Sequence, residues 1–212
     1  MIGLLKRTLL NEGAYWISRY RLRGILRGLG PGSLVVDCGA NVGDISALFL
    51  GTGASVIAFE PDPVAHDILS ARFAGHPRFT LHRQAVSDLD GRASFYFHRD
   101  RVAGHARAFT VSSTLVSGKR NVDPGHAMEV EVVDLSRFIA GLGRRVDVLK
   151  LDVEGAEIGI LKRMLAEGTH AQIGLMLVET HETKIPGHRA EVEALRNELA
   201  VRRIDNIRLN WI

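Results

Sequence analysis

The stretch LVVDCGANVGD, residues 34–44, decides the fold. Leu34 to Asp37 form a short β-branched run, and the glycines at Gly39 and Gly43 break it, the pattern of a buried strand ending in a tight turn. Asp44 to Leu50 follows as a helix closed by Gly51 and Gly53. SVIAFE (Ser55 to Glu60) is a second apolar strand, stopped by Pro61 and Pro63. Strand, glycine turn, helix and strand make a βαβ unit, in which small turn residues let backbone amides approach a ligand.

The pattern extends in both directions. Upstream, Leu22, Ile25, Leu26 and Leu29 recur at helical spacing beside a stripe of Arg19, Arg23 and Arg27, and Pro31 and Gly32 end the segment. Downstream, the sequence predicts a helix over 64–74, a third strand from Phe79 to Val86, and a strand from Ala93 to Phe97 pairing antiparallel with one from Met128 to Asp134. Between these, His98 to His126 lacks periodicity and reads as a long loop, a candidate lid in which Ser112, Ser113 and Thr114 are placed for substrate contact. Helix 135–142, a fourth core strand from Val146 to Asp152, helix 157–166, strand 175–179, helix 189–200 and a terminal strand near 207–211 complete the chain. The expected fold is α/β: a single Rossmann-like doubly wound sheet, mostly parallel with an antiparallel terminal strand. A helical N-terminal segment over 1–30 precedes a domain over 31–212, with ligands at the strand C-terminal edge.

Composition narrows the classes. The 212 residues carry 46% hydrophobic and 24% charged side chains, which suits one folded domain. The net charge of +3 is uneven: residues 1–30 hold six basic residues against Glu12, so the remainder is slightly acidic. With 6% aromatics, this leaves no general basic surface or stacking platform for nucleic acid. The N-terminus has no signal-peptide pattern, and the single Cys38 has no cysteine partner, so a cytoplasmic location is expected. For the basic leader, a helix packed on the core and otherwise solvated is favoured over peripheral contact with an anionic membrane. The sequence leaves the oligomeric state open.

The chemistry sits at strand ends. Aligned on Gly39, the dinucleotide fingerprint has Asp37 and Val42 where glycines belong. A carboxylate at Asp37 would repel a pyrophosphate and suit a cationic or zwitterionic ligand; the competing reading is a tight turn capped by Asn41. Glu60 follows Asp37 by 23 residues, near the offset at which an acid takes ribose hydroxyls, although it can also cap the next segment. Asp152 and Glu154 end the fourth core strand, and Glu179 and His181 end the next on the same edge. Glu154 also suits the following helix N-terminus, and Glu157 reads as structural. His181 is the expected general base because its ordinary pKa lies near neutrality.

Five ordered segments, VVDCGANVGD, AFEPDP, QAVSDLDGRASFY, VDVLKLDVEGAE and LVETH, cover about residues 34–181. In them the chain resembles the class I S-adenosylmethionine-dependent methyltransferases, and more narrowly the FkbM family. The resemblance implies S-adenosylmethionine as cofactor and O-methylation of a small-molecule or glycan acceptor, a sugar or secondary-metabolite scaffold. It places Asp37, Gly39, Ala40, Asn41 and Gly43 around the methionine end. Glu60 and Pro61 would lie at the ribose, Ala85, Val86 and Ser87 near the adenine, and Asp152 at both cofactor and chemistry. Asp152, Glu154, Glu179 and His181 are then the catalytic candidates. It leaves metal use open: Asp152, Glu179 and His181 could instead hold a divalent metal. Gly39→Val is expected to remove cofactor binding with the fold intact. Two alternatives stand beside this reading. One is an NAD(P)-binding oxidoreductase, disfavoured by the broken fingerprint and by the lack of any Tyr-x-x-x-Lys; the other is a catalytically idle cofactor-binding module.

Overall fold

A computed structural model of the chain describes residues 16–99, 113–120 and 122–209. Helix α1 spans 16–27 and turns Leu22, Ile25 and Leu26, with Leu29 just beyond its end, toward Val35, Phe49, Val56, Val148 and Leu177. The leader helix thus shares one core with the sheet. The part of the leader before residue 16 lies outside the described residues.

The main sheet has six strands in the order β3-β2-β1-β7-β8-β9. They are β1 (Leu34–Cys38), β2 (Ser55–Phe59), β3 (Phe79–His82), β7 (Val146–Leu151), β8 (Ile173–Val178) and β9 (Ile207–Leu209). Every β1 residue is buried, and successive side chains enter different cores: Leu34, Val36 and Cys38 one, Val35 the other. Helices α2 (Asp44–Leu50), α3 (Pro63–Arg72), α4 (Leu135–Gly141), α5 (Glu157–Glu167) and α6 (His188–Val201) connect the strands. Local chemistry starts several of them. Asp62 caps α3 by accepting from the Val64 and Ala65 amides ahead of Pro63, and Asp134 caps α4 through the Arg137 amide.

A second sheet, order β4-β6-β5, sits against the first: β4 (Ala85–Ser87) runs parallel to β6 (Val122–Asp134), and β5 (Gly91–His98) antiparallel to it. The expected pairing of 93–97 with 128–134 is present, Phe95 opposite Met128 and Ala93 opposite Val130. Other expectations change. The third strand is two, because the chain leaves the main sheet after His82 and Ala85 pairs with Val132 instead. Part of the expected loop is strand, since β6 begins at Val122; residues 100–112, including Ser112, lie outside the described set. The terminal strand β9 is parallel to β8, not antiparallel, with Met176 opposite Ile207. The 14-residue α6 is a full crossover that returns the chain to the start of the sheet, where a reversed strand would need a hairpin.

Strand order reverses between β1 and β7, which opens a crevice at their C-terminal ends. The two strand ends meet closely there. A Cβ on Gly39, at φ +75°, would lie 1.9 Å from the Asp152 carbonyl oxygen. A side chain at Gly39 therefore strains the backbone at the centre of the sheet, so the expectation that Gly39→Val spares the fold does not hold. Gly39→Ala is predicted to lower the thermal midpoint sharply. Gly141→Ala, at an exposed helical glycine with nothing within 4 Å of the added Cβ, should be neutral or stabilising by up to about 1 kcal/mol. Equal melting of Gly39→Ala and wild type would contradict the close approach.

Candidate functional site

Counted with the space open to solvent at its mouth, the crevice encloses about 620 Å³ free of protein atoms. Of the residues expected from sequence, Gly39, Asn41, Glu60, Pro61, Ala85, Val86, Ser113, Asp152 and Glu154 line it. Phe59, Gln84, Phe95, Leu115 and Val153 complete the wall. Asp37, Ala40, Gly43, Ser87, Glu179 and His181 are not part of this lining.

Asp37 lies beneath the turn. It is fully buried, accepts a hydrogen bond from the Ser46 hydroxyl at 2.6 Å and faces the Lys150 ammonium at 3.1 Å. Its charge is neutralised inside the protein and does not face a ligand, contrary to the sequence reading. Lys150 also donates to the Gly39 carbonyl at 2.9 Å and the Cys38 carbonyl at 3.3 Å, and lies 3.6 Å from Asp152. One ammonium therefore ties the end of β1 to the end of β7. Although burial works against the charged amine, Asp37 and Asp152 hold its pKa above the ordinary lysine value. Gly43 serves packing: an added Cβ would lie 2.4 Å from Leu69 and 2.8 Å from Phe73. Cys38 is an inert thiol, its pKa pushed up by burial and by Asp37.

Glu60 ends β2 at the crevice wall. One carboxylate oxygen accepts the Asn41 amide at 2.7 Å and the other the Asp62 amide at 2.8 Å. Burial outweighs these bonds and pushes its pKa up to about 8.

Beside Asp152 lies a compact cluster of acids around one histidine. His181 Nε2 is 2.9 Å from Glu154, 3.4 Å from Glu179 and 3.6 Å from Asp152, while Nδ1 is 3.1 Å from Glu157. The Glu154 contact is off the N–H axis, so it is an ion pair rather than an aligned hydrogen bond. Burial disfavours the imidazolium, but Glu154 and Glu157 outweigh it and push the pKa of His181 up to about 10. A pKa raised this far favours the doubly protonated ring at neutral pH, which has no lone pair to offer, and the side chain is 1% exposed; both work against the general-base role expected from sequence. Glu154 is held well below the usual carboxylate range despite its burial, by His181, Lys119 and Lys184. Asp152 differs. Burial, reinforced by the Glu179 and Glu154 charges and opposed by Lys150, raises its pKa to about 7, and its side chain is 24% exposed toward the crevice.

The backbone here is strained. Asn41 (φ 49°), Glu154 (φ 62°) and His181 (φ 48°) are three of the four non-glycine residues with left-handed backbone among those described. A strap over residues 113–120 fixes the cluster from outside. Thr114 pairs with Tyr96 and donates to the Glu154 carbonyl at 2.6 Å, the Arg120 amide donates to the Lys184 carbonyl, and Lys119 bonds Glu154. Sequence reading missed Lys150, Lys119 and the part Glu157 plays in the cluster. Lys150 had a signal, a lysine inside the otherwise apolar run VLKL; Lys119 had none. Asp152, Glu157 and His181 each offer a ligand atom, all within 4.8 Å of one another, so the cation-binding geometry includes Glu157 where the sequence suggested Glu179.

The fold is a Rossmann-like α/β sheet with an acid at the end of β2 and another following β7, both lining one crevice. Residues 37–205 match the family described as the methyltransferase FkbM domain. The chain is 32% identical over 192 residues to 31-O-demethyl-FK506 methyltransferase FkbM from Streptomyces tacrolimicus, covering 79% of this chain and 72% of that one. It is 30% identical over 186 residues to methyltransferase sdnD from Sordaria araneosa, covering 76% of this chain and 70% of that one. It is 28% identical over 141 residues to 2-O-methyltransferase NoeI from Sinorhizobium fredii, covering 62% and 57%. The chain belongs to the FkbM methyltransferase family.

The histidine geometry makes a direct prediction. With the folded pKa raised from 6.5 to about 10, the stability contributed by the His181 imidazolium is full below pH 6.5 and lost as pH rises through 10. Nitrogen NMR of the imidazole at pH 8 should show both ring nitrogens protonated, and the stability gap between wild type and His181→Ala should shrink toward pH 10. A neutral tautomer at pH 8 would contradict the clamp.

Proposed function

We propose that this methyltransferase uses S-adenosylmethionine to methylate a hydroxyl of a small-molecule acceptor, a sugar, glycan or secondary-metabolite scaffold. The observation that carries the reading is Glu60 and Asp152 lining one crevice from the ends of β2 and β7. Glu60, its pKa pushed up to about 8 by burial, keeps acceptor sites free after accepting two backbone amides, and ribose hydroxyls donating to them would favour its ionised form. Phe59, Ala85, Val86 and Leu115 supply an apolar slot for the adenine, and the backbone at Gly39 and Asn41 borders the methionine end. The names of two relatives, a 31-O-demethyl-FK506 methyltransferase and a 2-O-methyltransferase, support oxygen as the acceptor atom. A buried, reduced Cys38 suits a cytoplasmic enzyme.

When bound, S-adenosylmethionine supplies a methyl group on a positively charged sulfur. Asp152 takes the proton that the acceptor hydroxyl loses as its oxygen gains the methyl. A carboxylate whose pKa lies near 7 suits this task. His181 acts behind it as a positioning residue: its ring nitrogens lie against Glu154, Glu157 and Glu179 and supply countercharge beside Asp152. Lys119, Lys150, Lys184 and His181 supply countercharge to the acids, so the reading requires no metal.

Conversion of S-adenosylmethionine to its demethylated product, measured against a panel of hydroxylated acceptors, tests the reading. Asp152→Asn should lower turnover by roughly 10²-fold or more while cofactor affinity stays within a few-fold, and wild-type turnover should rise with pH through about 7. Chelation should leave activity unchanged; loss restored by magnesium would make Asp152, Glu157 and His181 metal ligands instead. Cofactor binding without turnover on any acceptor would favour the idle module.

A further inference from the structure

Helix α1 has two faces of unlike chemistry. The inward face carries Leu22, fully buried, with Ile25 and Leu26 against the core. The outward face carries Trp16, Tyr20 and Arg27, aligned one above another at helical spacing, flanked by Ile17 and Arg23. Trp16 is 62% exposed, Ile17 51% and Tyr20 78%. Three of the five large hydrophobic side chains exposed among the described residues therefore sit within five consecutive positions. A solvated helix accounts for the arginines but not for this apolar cluster.

The charge is one-sided too. Residues 16–30 contain Arg19, Arg21, Arg23 and Arg27 and no acid, whereas the chain beyond residue 30 is slightly acidic overall. The Arg19 guanidinium stacks over the Trp16 ring at 5.5 Å, and the groove beside this face is completed by uncharged Gly51 and Thr52. Aromatic rings and guanidinium groups on one face suit the boundary of an anionic bilayer, where rings insert at headgroup depth and guanidinium groups meet phosphates. No helix among the described residues is long and apolar enough to cross a membrane. No described α1 residue lines the crevice, so the proposed surface is separate from it.

We propose that α1 docks this protein peripherally on an anionic lipid surface through Trp16, Ile17 and Tyr20, with Arg19, Arg23 and Arg27 meeting the headgroups. Sedimentation of the full chain with phosphatidylcholine vesicles, and with vesicles containing about one-third phosphatidylserine, tests this at low salt. Pelleting is expected only with phosphatidylserine, and is lost near ~0.5 M salt, where charges are screened within a few ångströms. The paired variants Trp16→Ala/Tyr20→Ala and Arg23→Glu/Arg27→Glu should each cut the bound fraction by about tenfold. Their melting points should stay unchanged, because these side chains point away from the core. Absent pelleting, equal pelleting with both vesicle types, or unaltered pelleting of both variants would overturn the proposal. So would a dimer broken by Trp16→Ala/Tyr20→Ala, which would assign the face to a second copy of the chain.

Discussion

A buried ammonium holds the centre of this protein together. Lys150 reaches the Asp37 carboxylate and the Cys38 and Gly39 carbonyls from β7, so it fixes where the β1 turn lies relative to the strand bearing Asp152. Such a pair adds little net stability, because desolvating both charges offsets most of their attraction. Its force is positional: removing either partner leaves an unpaired buried charge, at a cost of about 3–5 kcal/mol. The exposed pairs Arg92–Glu129 and Lys162–Glu191 are as short, yet in water each contributes at most about 1 kcal/mol.

The acid cluster follows from the same economy of charge. Asp152, Glu154, Glu157 and Glu179 converge at the ends of two neighbouring parallel strands and the start of α5. Four carboxylates at such distances cannot all ionise without countercharge. His181, Lys119 and Lys184 stabilise Glu154 as an anion, Glu157 holds the other face of the imidazole, and Lys150 only partly offsets what raises Asp152. The environment thus separates two similar acids that both line the crevice, Glu154 held as an anion and Asp152 raised to about 7. The left-handed backbones of Glu154 and His181 are the conformational cost of bringing these side chains inward.

Much of this was legible in the sequence. The apolar runs bounded by glycine and proline marked β1, β2 and β7, because buried parallel strands are near-continuous apolar runs. The crevice positions of Glu60 and Asp152 were legible because residues following the strand C-terminal ends face the crevice in this architecture. What was not legible depends on contacts between distant segments. The sequence pattern reads Asp37 as ligand-facing, whereas Lys150, 113 residues later, pairs with it beneath the turn. The ordinary pKa of His181 suits a base, but Glu154 and Glu157, the latter 24 residues earlier, raise it well above that value. The direction of β9 depends on where α6 returns the chain, which no local pattern encodes.

The proposal turns on whether this crevice takes a nucleoside with a phosphate-free amino-acid tail, its ribose held by Glu60. Calorimetric titration of the wild-type chain with S-adenosylhomocysteine, and separately with NAD and NADP, tests it most directly. The account predicts saturable one-to-one binding of the thioether nucleoside, weakened in Glu60→Ala by about 1–3 kcal/mol through the lost ribose hydrogen bonds, and no heat of binding with either dinucleotide. Tight binding of a dinucleotide, or unchanged affinity for the thioether nucleoside in Glu60→Ala, would contradict it.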